Sequence, residues 1–321
     1  MIRIISCFLL FLVSIYELYS QPNLLNASVP QEVGVSLIDG NTAKPIEYGY
    51  VDDRDVLWSK TIWETIDLNE RVNFPLYFPK INNGFLSSDR RSLFRNLMDG
   101  INEGQIVEVY ADGYFKKKLT MEEIQQQLYA SLVNDEGKSI CNSQGIGPAE
   151  CENYIRNNIE IIQNDNPGSI VTDFIDEAKL ESEGITQFFV KGTWYFDKRL
   201  GELKYRLLGI APAAINPLLQ LQKSISDDQK TIQPLFWIWF PNSREKLSNS
   251  FVFNPRNSSQ RISFDHLLNS RRFNAVIYRE ENVYEDREID EYIQKDALRQ
   301  LLESERIKSV IRDFEQDMWS N

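Results

Sequence analysis

Residues 233–241 read Gln233-Pro234-Leu235-Phe236-Trp237-Ile238-Trp239-Phe240-Pro241, an extended aromatic run bracketed by prolines. In a strand, side chains alternate between faces, so Phe236, Ile238 and Phe240 point one way while Trp237 and Trp239 point the other. Both faces then need cover. Three kinds of cover suit such a strand: helix layers of the same chain, a neighbouring subunit gripping the tryptophans, or a sugar stacked on the two rings.

A run of the same kind, Phe74-Pro75-Leu76-Tyr77-Phe78-Pro79, lies in the first half. Ahead of it, Trp58, Ile62, Trp63 and Ile66 recur at helical spacing behind a possible N-cap at Asp55, which predicts an amphipathic helix. Behind it, Ser88-Asp89 start a helix through Leu93, Leu97 and Met98, and residues 105–110 alternate as a strand does. Thr120 with Glu123 has the capping-box spacing for one more helix.

The second half repeats this order loosely. Ser258-Ser259-Gln260-Arg261-Ile262-Ser263 matches Ser87-Ser88-Asp89-Arg90-Arg91-Ser92 at four of six positions, Leu268 falls where Leu97 does, and residues 275–278 resemble the strand ending at Tyr110. Duplication produces such a likeness, and so does the commonness of strand–helix–strand order. The predicted fold class is α+β, with two loosely similar modules, 55–135 and 187–321, joined by a helical connector over 136–186. The connector carries predicted helices over 151–162 and 171–182. A hairpin is expected over 187–196 and 202–210, turning at residues 197–201, and a long terminal helix over 289–319.

The N-terminus reads differently. Arg3 precedes an almost unbroken apolar stretch from Ile4 to Tyr16, and Ser20 offers a small residue for cleavage, so residues 1–20 are expected to be a secretory signal peptide. The apolar run is shorter than the roughly 20 residues a spanning helix needs, and Cys7 lies inside it rather than behind it, where lipid attachment requires a cysteine. Residues 21–54, with Pro22, Pro30 and Pro45 and no sustained period, are expected to form an extended arm.

Composition narrows the function. The 321 residues are 42% hydrophobic and 12% aromatic, enough for a packed core. With 47 acidic against 35 basic side chains and only short basic runs at 90–91, 116–118 and 271–272, a nucleic-acid partner is not expected. In an exported chain the two remaining cysteines, Cys141 and Cys151, suggest a disulfide across the turn residues 145–148; two free cysteines packed as small apolar groups are the alternative.

Two thiols and the lone His266 do not complete a structural zinc set, and Asp265 is its sequence neighbour rather than a partner one helix turn away. Gly145 and Gly147 lack the third glycine of a dinucleotide loop. No catalytic, cofactor or metal residue is expected, and no small-molecule substrate. Trp237 and Trp239 remain the candidate interface residues. The alternative is a carbohydrate-binding or carbohydrate-active protein using the two rings as a platform.

Two longer stretches carry a family resemblance. Residues 55–60 (Asp-Val-Leu-Trp-Ser-Lys) through 63–68 (Trp-Glu-Thr-Ile-Asp-Leu), then 75–79 (Pro-Leu-Tyr-Phe-Pro), resemble the central signature of the GldN family of gliding-motility proteins, also called PorN. Residues 194–201 (Trp-Tyr-Phe-Asp-Lys-Arg-Leu-Gly) and 208–212 (Leu-Gly-Ile-Ala-Pro) resemble its second signature. The resemblance implies a periplasmic structural subunit of the type IX secretion and gliding machinery of the Bacteroidetes. It further implies assembly into a ring beneath the outer membrane with a GldK/PorK-like lipoprotein, and contact with the periplasmic part of a GldM/PorM-like motor protein. The family has no associated catalytic residue, so none is implied here.

Overall fold

The predicted hairpin is the centre of the computed structural model, which describes residues 44–45, 47–80, 91–160, 162, 170–222, 226, 230–252 and 262–320. Its strands β5 (Gln187–Asp197) and β6 (Glu202–Ile215) pair antiparallel. Asp197 closes the turn by accepting the Arg199 N–H at 3.0 Å, and Gly201 supplies the positive φ. Around them stand β1 (Val56–Asp67), β2 (Val109–Tyr110), β7 (Ile232–Pro234), β8 (Trp237–Trp239) and β11 (Val276–Glu280). The order is β11-β1-β5-β6-β8-β2, with β7 also on β6. Every pairing is antiparallel.

The α+β class is as expected, but several elements differ. Residues 56–67 form β1, not a helix. Trp58, Ile62 and Ile66 are spaced by four, an even number, so a strand places them on one face as readily as a helix does. The β-branched Val56, Thr61, Ile62, Thr65 and Ile66 suit a strand, and both edges of β1 find partners, in β5 and β11. Conversely, Phe74–Tyr77 is a short helix, α1, rather than a strand: Pro75 fits a first helical turn, and Phe78, held extended ahead of Pro79, ends it.

Helix α2 (Leu93–Asn102) starts behind Ser92, whose hydroxyl accepts the Arg95 N–H; the predicted start at Ser88 lies outside the described residues. Only Val109–Tyr110 of the strand expected over 105–110 is a strand. The Thr120–Glu123 capping box is present at the head of α3 (Met121–Leu128). The predicted connector contains α4 (Asp135–Ser143), α5 (Pro148–Asn157) and α6 (Val171–Phe174). Residues 175–179, expected to be helical, form β4 (Ile175–Lys179), which pairs with β3 (Tyr129–Val133) because that strand leaves a free edge beside it.

Beyond α7 (Pro217–Leu221) and β8, Phe240 opens helix α8 (Phe240–Ser248) with Pro241 in its first turn, so the aromatic strand stops at Trp239. The short strands β9 (Phe251–Val252) and β10 (Ile262–Ser263) pair ahead of α9 (Phe264–Asn269). The predicted terminal helix is two helices, α10 (Ile289–Tyr292) and α11 (Ala297–Ser320). Asp296 separates them by accepting the Arg299 N–H at 3.0 Å, a fresh N-cap.

The expected boundaries at 135 and 187 do not separate sheets, since β1 from the first half lies between β5 and β11 from the second. Residues 44–321 form one compact unit, and residues 1–20, expected to be a signal peptide, and residues 21–43 of the expected arm lie outside the described residues. The strand order is nevertheless symmetric about the β5–β6 pair. One unit runs β1, α2, β2 and the other β8, α9, β11, each sending its last strand to the other's first. Ser92 and Ser263, equivalent in the sequence repeat, both cap their helices, and Leu97 and Leu268, five residues on, are both fully buried.

One face of the sheet carries the main core. Ile66, Phe188, Ile210 and Ile238 pack with Leu97, Phe240 and Leu268 from the helices. Farther along that face, Ile62 and Ile277 pack under Ile307 and Ile311 of α11, and Phe314 stacks on Trp58 at 4.6 Å. A smaller core joins Cys141, Cys151, Ile155, Phe174 and Ile175.

Candidate functional site

The alternation expected along the aromatic strand is observed. Phe236, Ile238 and Phe240 enter the main core, whereas Trp237 and Trp239 belong to a separate aromatic cluster on the opposite face. That cluster comprises Trp63 (β1), Tyr110 (β2), Phe189 (β5), Ala211 (β6), Tyr278 (β11) and Phe115 besides the two tryptophans. None of these residues lies in a helix.

Cover comes from the segment that follows β2. Phe115 presents its edge to Trp239 at 4.9 Å and to Trp237 at 6.4 Å. Trp237 retains 3% of its surface, and Trp239 stays partly exposed. Two glycines permit this approach. A Cβ on Gly113 would lie 3.2 Å from Trp237 and from the Trp63 Nε1, and one on Gly209 only 2.5 Å from Phe115. The segment is fastened by Lys191, whose ammonium sits 4.6 Å from the Trp63 ring centre and 4.9 Å from that of Tyr114, and donates to the Gly113 carbonyl at 3.0 Å. The Tyr114 ring centre lies 5.8 Å from that of Trp63, and its hydroxyl donates to Asp286 at 3.0 Å.

Electrostatics on this face follow from burial. Desolvation holds the Lys191 ammonium below its ordinary pKa and raises the Tyr278 phenol well above its own. Arg279 pairs with Glu288 and lies 5.6 Å from the Trp63 ring centre. The face is thus aromatic and cationic at its centre, with carboxylates at its rim. Its partly exposed rings, Trp239 and Tyr114, give it the composition of a protein-contact surface.

This geometry revises the sequence-level candidates. Trp237 is enclosed by its own chain, whereas Trp239, and Tyr114 of the covering segment, keep exposed surface. A sugar platform needs both ring faces open on one side, and Trp237 has no such opening. Cys141 and Cys151 are joined in a disulfide, with Cα atoms 5.7 Å apart, tying α4 to α5. His266 stands on α9, but its neighbour Asp265 is committed elsewhere, in a two-pronged ion pair with Arg244 at 2.7 and 3.1 Å.

The sequence reading gave no sign of the buried charges, of which Glu64 lies deepest. Glu64 is fully buried and holds Arg271 through bonds of 2.7 and 2.8 Å, with the Tyr205 hydroxyl at 3.4 Å. Burial, with Glu64 beside it, pushes the Tyr205 phenol well above its ordinary pKa. A carboxylate between Trp63 and Ile66 in a strand buried on both sides was the signal available.

Residues 51–320 match the family described as "Gliding motility associated protein GldN". No curated protein matches the chain.

Proposed function

The chain belongs to the GldN family, which the match over residues 51–320 shows, and on that premise we propose that it is a non-enzymatic structural subunit of the type IX secretion and gliding machinery. It acts in the periplasm after removal of residues 1–20, in a ring with an outer-membrane lipoprotein of the GldK/PorK kind. A GldM/PorM-like motor protein contacts that ring. Family membership over most of the chain is the observation that carries this reading.

Physical features support the division of labour. The helix-bearing face of the sheet is occupied by the chain's own core, leaving the aromatic face, with Trp239 and Tyr114 partly exposed, as the surface offered to a partner. A ring needs two different contact surfaces on each copy, and the two ends of the sheet, β11 and β2, are different.

The test is assembly from purified parts. The mature protein alone is expected to be small, and addition of the lipoprotein's periplasmic domain is expected to give large particles by light scattering and electron microscopy. Trp239→Glu with unchanged circular dichroism is expected to reduce assembled material at least tenfold. Unimpaired assembly by that variant removes the aromatic face from the interface. Failure of the unaltered protein to bind any lipoprotein partner overturns the function.

A further inference from the structure

Residues 47–51 lie against the β5–β6 hairpin and the end of α9, and with them line a cavity of about 360 Å³. Tyr48 is the anchor. Its ring lies between two guanidinium groups, Arg244 at 3.8 Å and Arg206 at 4.1 Å, and its hydroxyl donates to the Asn269 Oδ1 at 2.6 Å. The backbone that follows is held as well: Arg206 donates to the Gly49 carbonyl at 3.4 Å and Arg199 to that of Tyr50 at 2.7 Å.

The receiving groups are positioned by the rest of the fold. Asp265, almost fully buried, fixes Arg244 by two bonds and takes the Asn269 amide at 2.7 Å, which turns the Asn269 oxygen towards the tyrosine. Two guanidinium groups facing each other repel unless an electron-rich ring separates them. A tyrosine meets all three requirements: a π face for each cation and a hydroxyl for the amide oxygen. The carbonyl contacts demand only an extended backbone. None of these contacts involves β1, so they form equally well whether the segment belongs to the same chain or to another.

We propose that this cleft is a docking site for an extended tyrosine-bearing segment, and that in an assembly of copies of this chain residues 47–51 are exchanged, each copy seating its Tyr48 between Arg206 and Arg244 of the next. The exchange rests on the reading of the chain as a ring subunit. One donor segment and one acceptor cleft on every copy make a head-to-tail contact, which is what a ring requires. Reach limits the donor: the four linking residues, 52–55, span at most about 14 Å, and Asp55 is held to its own hairpin turn by the Lys198 N–H at 2.8 Å and Arg199 at 3.0 Å, so only a copy in direct contact qualifies. In dilute solution the same short link favours the chain's own cleft.

Two measurements test the two parts. A fluorescent peptide of residues 44–54 is titrated into the full chain carrying Tyr48→Ala, followed by anisotropy. Saturable binding is expected there, at least tenfold weaker to the unaltered chain, whose own Tyr48 already sits against Arg206 and Arg244, and weaker again when the peptide carries Tyr48→Phe. No binding by a folded Tyr48→Ala chain overturns the docking site. For exchange, a photo-crosslinking residue replaces the exposed Tyr50, and copies of two isotopic labels are mixed before assembly with the lipoprotein domain. Crosslinks to the cleft are expected within one label in the dilute chain and between labels in assemblies. Same-label crosslinks alone in well-formed assemblies overturn the exchange while leaving the ring intact. Absence of any assembly overturns the ring reading and the exchange together, and leaves the peptide result to decide the cleft.

Discussion

Glu64 and Arg271 show how a single buried charge is tolerated. Arg271 meets the carboxylate with two bonds, and the Tyr205 hydroxyl lies within reach. Glu64→Gln leaves the half-buried guanidinium facing a neutral amide, and a loss of the order of 3 kcal/mol is expected by urea unfolding. Arg271→Met alone is expected to cost as much, and the double variant less than the sum of the two. A strictly additive double variant would show that the two side chains do not act as a pair. The Cys141–Cys151 bridge closes a short loop, so reduction or Cys141→Ala with Cys151→Ala is expected to cost about 2–3 kcal/mol. Intact mass of the unreduced protein, two hydrogens short of the reduced form, verifies the bond itself.

At the scale of elements, the covering segment after β2 depends on close approach rather than on regular structure. Gly209→Ala puts a methyl group where the Phe115 ring lies, and about 1–3 kcal/mol of destabilisation with increased tryptophan exposure to quencher is expected. Lys191 adds a pH dependence whose sign is fixed by its lowered pKa. The folded chain releases this proton before the unfolded chain does. Its contribution to stability therefore rises as pH climbs through the folded-state value, and it levels off once the unfolded lysine also titrates, near about 10.4. The stability of the unaltered protein minus that of Lys191→Met is expected to increase over this alkaline window. A flat difference would mean that the ammonium is not desolvated under the covering segment.

At the scale of the molecule, interleaved strands make the halves interdependent. A fragment of residues 55–135 keeps β1 and β2 but loses β5 and β11, the two neighbours of β1, and β8, the neighbour of β2. It is expected to be unfolded by circular dichroism, although its sequence resembles a complete module. Co-expression with residues 136–321 is expected to restore structure, since every missing pairing is then supplied. A folded isolated fragment would contradict the shared sheet.

Local chemistry alone was enough for certain features. The Thr120–Glu123 box, the hairpin turning over 197–201 and the two-faced aromatic strand depend on groups a few residues apart, and the sequence determined them. The α+β class followed from these elements together. Where two periods coincide, sequence was ambiguous: spacing of four reads as helix or strand, and β1 became a strand because β5 and β11 stood ready on both its edges. Proline misled at residues 74–79 for a similar reason, since it bounds a strand and opens a helix with equal ease. The Tyr48 clamp and the Glu64–Arg271 pair join residues 158 to 221 positions apart, and no local pattern marks such a meeting. Trp237 was legible as a face-down tryptophan, but what covers it was not. Tertiary structure decided that, because only the folded chain brings Phe115 and Gly209 together over the ring.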